Sequence, residues 1–282
     1  MIRSALRRVH CYAIDPAGHT GINAIQYTSL AIRQKESVFT ITLDRVDNSN
    51  RVDDRMAAEL HQALEHLSQQ DQLRLVVLTA NGNVFSTGRD EFGRLPSGQS
   101  PADWLNSSRV ASAVAGLPVP VIVALNGDAT DHGLELALAG DLRLAVAGAR
   151  MGFSRPSRGM FPWDGGTQRL PRLVGPAWAR DMLLTGRMVD ATEAYSIGLV
   201  NRVADNADHL RQITAELAGL VSAGGPLGSR YVKEAISKGM DLTLAQGLHL
   251  ETDLNAILQS TTDRAEGINS FLEKRSPKFT GA

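Results

Sequence analysis

An α/β core followed by a helical C-terminal region is the architecture the sequence predicts, on three observations. Short apolar runs of strand type alternate with segments of helical period, the strand-type runs stop near Val203, and the remainder reads as helix. Alternation at this rhythm implies parallel strands joined by right-handed crossovers. No internal repeat and no linker divides the 282 residues cleanly, a length that permits a large buried core. The predicted organisation is an N-terminal extension without predicted order at 1–35, an α/β core at 36–205 and a helical region at 206–282.

The elements follow in order. Ser37–Arg45 alternates like a strand, with Phe39, Ile41 and Leu43 opposite Val38, Thr40 and Thr42. Asp53–Gln70 carries Met56, Leu60, Leu64 and Leu67 at helical spacing. Leu73–Ala80 is a buried strand, followed by the Gly/Asn/Ser-rich loop NGNVFSTGRDEFG. Pro101–Ala115 reads as one helix, PVPVIVALNG as a strand, and DLRLAVA after Gly140 as another strand of the buried type. Four helices are expected beyond the core: Asn206–Val221, Pro226–Lys238, Leu242–Gln259 and Thr262–Lys274.

Composition narrows the function classes. The formal net charge is −1, so no global basic field points to nucleic acid or a membrane surface. No apolar stretch approaches the ~18 residues of a membrane span. Cys11 is the single cysteine, which removes an internal disulfide and a cysteine-based metal cluster. A reducing, cytoplasmic compartment is the natural reading. Within residues 1–35, Arg3, Arg7, Arg8, Arg33 and Lys35 face one acid, Asp15. Such a start resembles an organelle transit peptide, which would place the protein in the mitochondrial matrix; the alternative is a loosely ordered leader.

The segment richest in chemical signal is DHGLELALAGDLRLA, Asp131–Ala145. Glu135 lies among Leu134, Leu136, Ala137, Leu138 and Ala139, with no Lys or Arg three or four positions away. Desolvating a carboxylate is costly, so such a residue has a partner or a task. His132 lies three residues earlier, on the same helical face, at what reads as a helix start. No His/Asp/Glu cluster has metal-ligand spacing, so no metal is expected, and the Gly-rich loop lacks a P-loop lysine.

Four stretches together resemble the crotonase superfamily, the enoyl-CoA hydratase/isomerase family: VVLTANGNVFSTGRDEF, PVIVALNGDATDHGLELALAGDLRLAVAGARMGF, DGGTQRLPRLVG and LLTGRMVDATEAYSIGLVNRV. The likeness runs from about Ser37 to Lys278. It implies a spiral of β-β-α turns with a helical C-terminal trimerisation region, as trimers or dimers of trimers. It also implies an acyl-CoA substrate, coenzyme A entering as part of that substrate and no separate cofactor. The thioester oxygen would be held by the main-chain N–H groups of Thr87 and His132, an arrangement that stabilises a developing enolate. One such donor is typically worth ~2.7–4 kcal/mol. Ser86, Gly88, Arg89 and Gly133 fall at substrate-binding positions, the two glycines giving the backbone room to approach a ligand.

The departures are as informative. Family hydratases carry glycine at the position of His132, where a left-handed backbone would strain a histidine. Glu135 matches the first catalytic glutamate, but Arg155 stands where the second belongs, and Asp164 replaces a small residue. Arginine stays protonated and is a poor general base. Arg155 reads either as a salt-bridge partner for Asp164 or Glu135 or as a clamp on an anionic substrate group. A branch of the superfamily that cleaves β-diketones has a histidine and an aspartate at the positions of His132 and Asp164. It has a histidine at that of Arg155, and its substrates are not CoA thioesters.

Glu135 is thus expected as a catalytic acid/base, the alternative being a structural acid bonded to backbone amides or to Arg143, with Asp164 and His132 as further catalytic candidates. Asp164 could instead cap the helix at GGTQRL, and His132 could fill a gap. Trp163 and Phe161 read as acyl-pocket walls or ordinary packing, and Lys278 and Phe279 as tail residues that approach the CoA moiety. The leading function is an acyl-CoA lyase or isomerase of fatty-acid-metabolism type. The alternatives are a hydrolase of β-diketones and a catalytically weak scaffold of the same fold.

Overall fold

The computed structural model describes residues 27–90, 98, 100–154 and 161–282. Strands and helices are numbered in chain order. Six strands form the main sheet in the order β1 (Leu30–Lys35), β2 (Val38–Leu43), β3 (Leu75–Ala80), β5 (Val121–Leu125), β7 (Leu142–Val146) and β10 (Arg202–Ala204). Four short strands form a second sheet: β4 (Val84–Ser86), β6 (Asp128–Thr130), β8 (Arg150–Gly152) and β9 (Met188–Asp190). Pairing is parallel from β2 to β10 and from β4 to β8, as the crossover pattern implies, and antiparallel at the β1–β2 and β8–β9 edges.

β1 corrects the expected boundary at residue 35. Leu30–Lys35 pairs with β2 from Leu30 opposite Leu43 to Lys35 opposite Val38. The basic residues that suggest a leader belong in part to this edge strand, where Arg33 and Lys35 are exposed. Charges on an outer strand discourage edge-to-edge association. Arg3, Arg7, Arg8 and Asp15 lie outside the described residues.

The central strands β3 and β5 are largely apolar because both of their faces are covered. Val76, Leu78, Val121, Val123 and Ala145 enter the larger core with α1 (Asp54–Ser68), α3 (Val110–Ala115) and α4 (His132–Leu138). Leu75, Val77, Ile122, Ala124 and Leu144 point the other way, against Leu210, Ile213 and Ala218 of α7 (Ala207–Ser222). The α/β core therefore extends through α7 rather than ending at residue 205. Asp53 starts α1 by accepting a hydrogen bond from the Met56 amide at 2.7 Å, the cap expected of an aspartate there.

The predicted helix Pro101–Ala115 is two helices, α2 (Pro101–Ser107) and α3, broken at Ser108–Arg109. α5 (Gly166–Thr185) bends at Gly175, whose backbone is non-helical before Pro176. After α6 (Ala191–Ser196), the chain ends in α8 (Pro226–Gly239), α9 (Leu244–Gln259) and α10 (Thr262–Leu272). Val232 and Ile236 of α8 and Met240, which caps its C-terminus, recur every fourth residue, and all three are exposed.

Gly127 marks the tightest approach in the second sheet, since a Cβ there would lie 1.9 Å from the Asn83 carbonyl oxygen. Gly127→Ala should therefore cost about 1–3 kcal/mol or more. Gly148→Ala, with nothing within 4 Å of its added carbon, should leave the thermal unfolding midpoint nearly unchanged. Equal midpoints for the two variants would contradict the close approach.

Candidate active site

The start of α4, the break between α2 and α3, and the start of α5 meet at one place. Glu135, His132 and Asp164 are all buried there. Glu135 sits in the first turn of α4, and its Oε1 accepts hydrogen bonds from the amides of Asp164 and Gly166, each at 2.8 Å. Among the described residues nothing donates to Oε2. Burial pushes the Glu135 carboxyl up, against the opposing pull of His132 and the two amides. The apolar run that makes Glu135 conspicuous in the sequence is the wall that desolvates it.

Asp164 corrects one expectation. It caps no residue of its own helix; Gly165 occupies that position without a side-chain bond. Its carboxylate reaches into the α2–α3 break instead. There Oδ2 accepts from the Ala111 amide at 2.6 Å, and Oδ1 accepts from the Ser112 amide at 3.0 Å and the Ser112 hydroxyl at 2.7 Å. His132 Nε2 is 3.1 Å from Oδ2. Burial alone would push this carboxyl up, but the hydrogen bonds from His132, Ser112 and Ala111 outweigh it and hold the group below its ordinary range. Asp164 is thus an anchor with both carboxylate oxygens occupied.

The His132 ring is held on a second side by Trp163, stacked at 4.6 Å between centroids and 23° between planes. Trp163 is thus committed to His132, while Phe161 is exposed. The strain expected at His132 falls one residue earlier. Asp131 has φ 53° and ψ −125°, a glycine-favoured conformation. Ser154 holds it there by donating to the Asp131 carboxylate from its amide at 2.9 Å and its hydroxyl at 2.8 Å. Among the described residues no acceptor takes the His132 N–H, which opens α4.

The loop around Ser86 also differs from expectation. The Thr87 N–H donates to the Ser49 carbonyl at 3.1 Å, so Thr87 is not the second oxygen-binding amide. Gly88 N–H lies 3.3 Å from Ser86 Oγ, and its φ of 101° explains the glycine. Val52 N–H donates to the Gly88 carbonyl and Asp90 N–H donates to the Val52 carbonyl. In such a parallel bridge the intervening residue, Arg89, directs its own N–H away from Val52. The Arg89 side chain is turned inward, to Asp54, Ser108 and the Trp104 and Trp163 rings. Gly133 makes room for protein and not for ligand, because a Cβ there would lie 2.2 Å from the Ser86 carbonyl oxygen.

Lys278 and Phe279 do not meet this cluster within one chain. The tail folds along α10, where the Lys278 amide donates to Glu266 at 2.6 Å. The Phe279 ring packs over Gly225 and Gly267. Arg155 lies outside the described residues. Sequence reasoning does not find Ala111 and Ser112, because main-chain amides carry no local signature of a partner 52 or 53 residues away.

Among the described residues no group of three or more His, Cys, Asp or Glu could hold a metal ion, and no helix is long and apolar enough to cross a membrane. The profile of the Enoyl-CoA hydratase/isomerase family matches residues 33–282. The chain is 39% identical over 251 residues to YngF of Bacillus subtilis, named as an enoyl-CoA hydratase/isomerase, covering 88% of this chain and 96% of that protein. It is 34% identical over 253 residues to the 1,2-epoxyphenylacetyl-CoA isomerase of Escherichia coli, covering 88% and 96%. The crystal structure of an enoyl-CoA hydratase from Bacillus anthracis superposes with a TM-score of 0.85 at 34% identity, over 90% of this chain and 100% of that one.

Two outcomes test the electrostatics. Asp164→Ala would leave two α3 amides and the His132 ring without their acceptor and should cost about 2–4 kcal/mol in denaturant unfolding. Glu135→Gln keeps an oxygen for the two amides and removes a carboxyl whose folded pKa is raised. Wild-type stability associated with that group is intact below its unfolded pKa and declines as pH rises toward the folded one. Glu135→Gln should therefore melt above wild type at pH 7.5, by a margin that shrinks near pH 4; a constant margin would refute the desolvation.

Proposed function

Since the chain belongs to the enoyl-CoA hydratase/isomerase family, we propose that it acts on an acyl-CoA thioester through an enolate, with Glu135 as the mobile proton carrier. The observation that carries this reading is the half-engaged Glu135 carboxylate, fixed through Oε1 and without a donor at Oε2 among the described residues. Its raised pKa moves it toward the range in which a carboxyl both gives and takes protons. The His132 N–H at the start of α4 and the Arg89 N–H of the opposite loop bind the thioester oxygen. As electrons move onto that oxygen, these dipoles act without reorganising. Arg89 replaces Thr87 in this role because the parallel bridge to Val52 orients its amide.

Enolate chemistry needs the α-carbon beside an acid/base and the carbonyl beside the donors, and Glu135 and His132 are one helical turn apart. The exposed row Val232, Ile236 and Met240 fits burial against other copies of the chain, in the trimer or dimer of trimers that the family resemblance implies. Lys278 and Phe279 would then serve a neighbouring subunit's CoA site. The closeness of His132 and Asp164 also favours a second reading, hydrolysis of a CoA-free β-diketone with the pair assisting water attack.

A panel of 2-enoyl- and 3-enoyl-CoA esters with CoA-free β-diketones tests the proposal. Glu135→Gln should lower kcat by about 10²–10⁴-fold on CoA esters with a small change in KM. Turnover of diketones alone would select the second reading, and unchanged rates in Glu135→Gln would remove the proposed carrier. Sedimentation equilibrium should give three or six times the 30.3 kDa chain mass. A monomer would exclude the assembly.

A further inference from the structure

We propose that the imidazole of His132 is a second catalytic proton carrier, taking the part of the carboxylate that Arg155 displaces and enabling addition of water. The proposal rests on the acyl-CoA reading and specifies its reaction class. Three observations support it. His132 Nε2 meets the Asp164 carboxylate at 3.1 Å, and Asp164 is itself fixed by Ala111 and Ser112. In the neutral ring an acceptor at that distance places the single proton on Nε2, which makes Nδ1 the acceptor nitrogen. Nδ1 is buried and, among the described residues, has no hydrogen-bond partner. A buried acceptor without a donor carries a free-energy cost that a bound water or substrate hydroxyl would remove. The stacked Trp163 ring prevents rotation away from this arrangement.

The arrangement is a general base with its orienting carboxylate. In the proposed step water gives a proton to His132 Nδ1 while its oxygen bonds the β-carbon of a 2-enoyl-CoA. The double-bond pair moves through the α-carbon onto the thioester oxygen, held by the two amides. The enolate then collapses, its α-carbon taking a proton from the protonated Glu135. Return of the proton from His132 to Glu135 through solvent restores both groups, so one water is added and nothing else is consumed. Asp164 and Trp163 hold the His132 ring through a hydrogen bond and a stack, touch no reacting atom in this step, and act as positioning residues.

The test uses the full chain and separates two reactions. Isomerisation of a 3-enoyl-CoA needs one mobile carrier, whereas hydration of a 2-enoyl-CoA needs two. His132→Gln keeps the main-chain N–H and should lower hydration kcat by about 100-fold or more, isomerisation by less than about 10-fold, and leave KM within about 3-fold. Nitrogen-15 spectra of histidine-labelled wild type should show His132 protonated at Nε2 and bare at Nδ1. That tautomer should lose its preference in Asp164→Asn. Hydration unaffected by His132→Gln, equal losses in both reactions, or a proton on Nδ1 would overturn the proposal. Failure of the wild type to hydrate any 2-enoyl ester would also overturn it, while isomerisation lost in Glu135→Gln would leave the acyl-CoA reading standing. If His132→Gln does not fold, the wild-type spectrum decides alone.

Discussion

One residue joins three parts of the chain that have no sequence proximity. Asp164 takes two amides and a hydroxyl from α3 and faces the His132 ring of α4 with its carboxylate. Its own amide donates to Glu135, and its carbonyl accepts from Arg169 at 2.6 Å. Burying a carboxylate is unfavourable unless its lone pairs are met, and here they are met by four donors. The same requirement fixes where α3 begins, how the His132 ring is turned and which oxygen of Glu135 is held. The site is therefore defined by the satisfaction of one desolvated anion.

The two acids respond to burial in opposite ways. Glu135, with two amide donors and an apolar helix around it, is pushed up. Asp164, with more donors and an imidazole, is held down. Two carboxyls within one site are thus driven in opposite directions by their surroundings. Relatives include proteins named as a hydratase and as an isomerase, in keeping with one fold supporting several reactions.

Much of the main sheet is legible in the sequence because period-2 runs and buried apolar runs survive tertiary packing. β2, β3, β5 and β7 fall inside their expected segments, as do most residues of α1 and of the C-terminal helices. The three-residue strands β4, β6, β8 and β9 are not legible, being too short to show a period. The α2–α3 break and the role of Asp164 depend on partners more than 50 residues away. Glu135 and His132 could be located from local sequence, since an unpartnered acid in an apolar helix is itself a signal. Thr87 is two positions from the amide that the Val52 bridge orients, an error that only backbone hydrogen bonding exposes.

Ser154 and Trp163 bracket the stretch that carries Arg155, and each is tied to the start of α4, through Asp131 and through His132. Both ends of that stretch are thereby moored to the same turn of helix. Loss of either tether would therefore act on the first turn of α4, where His132 and Glu135 sit.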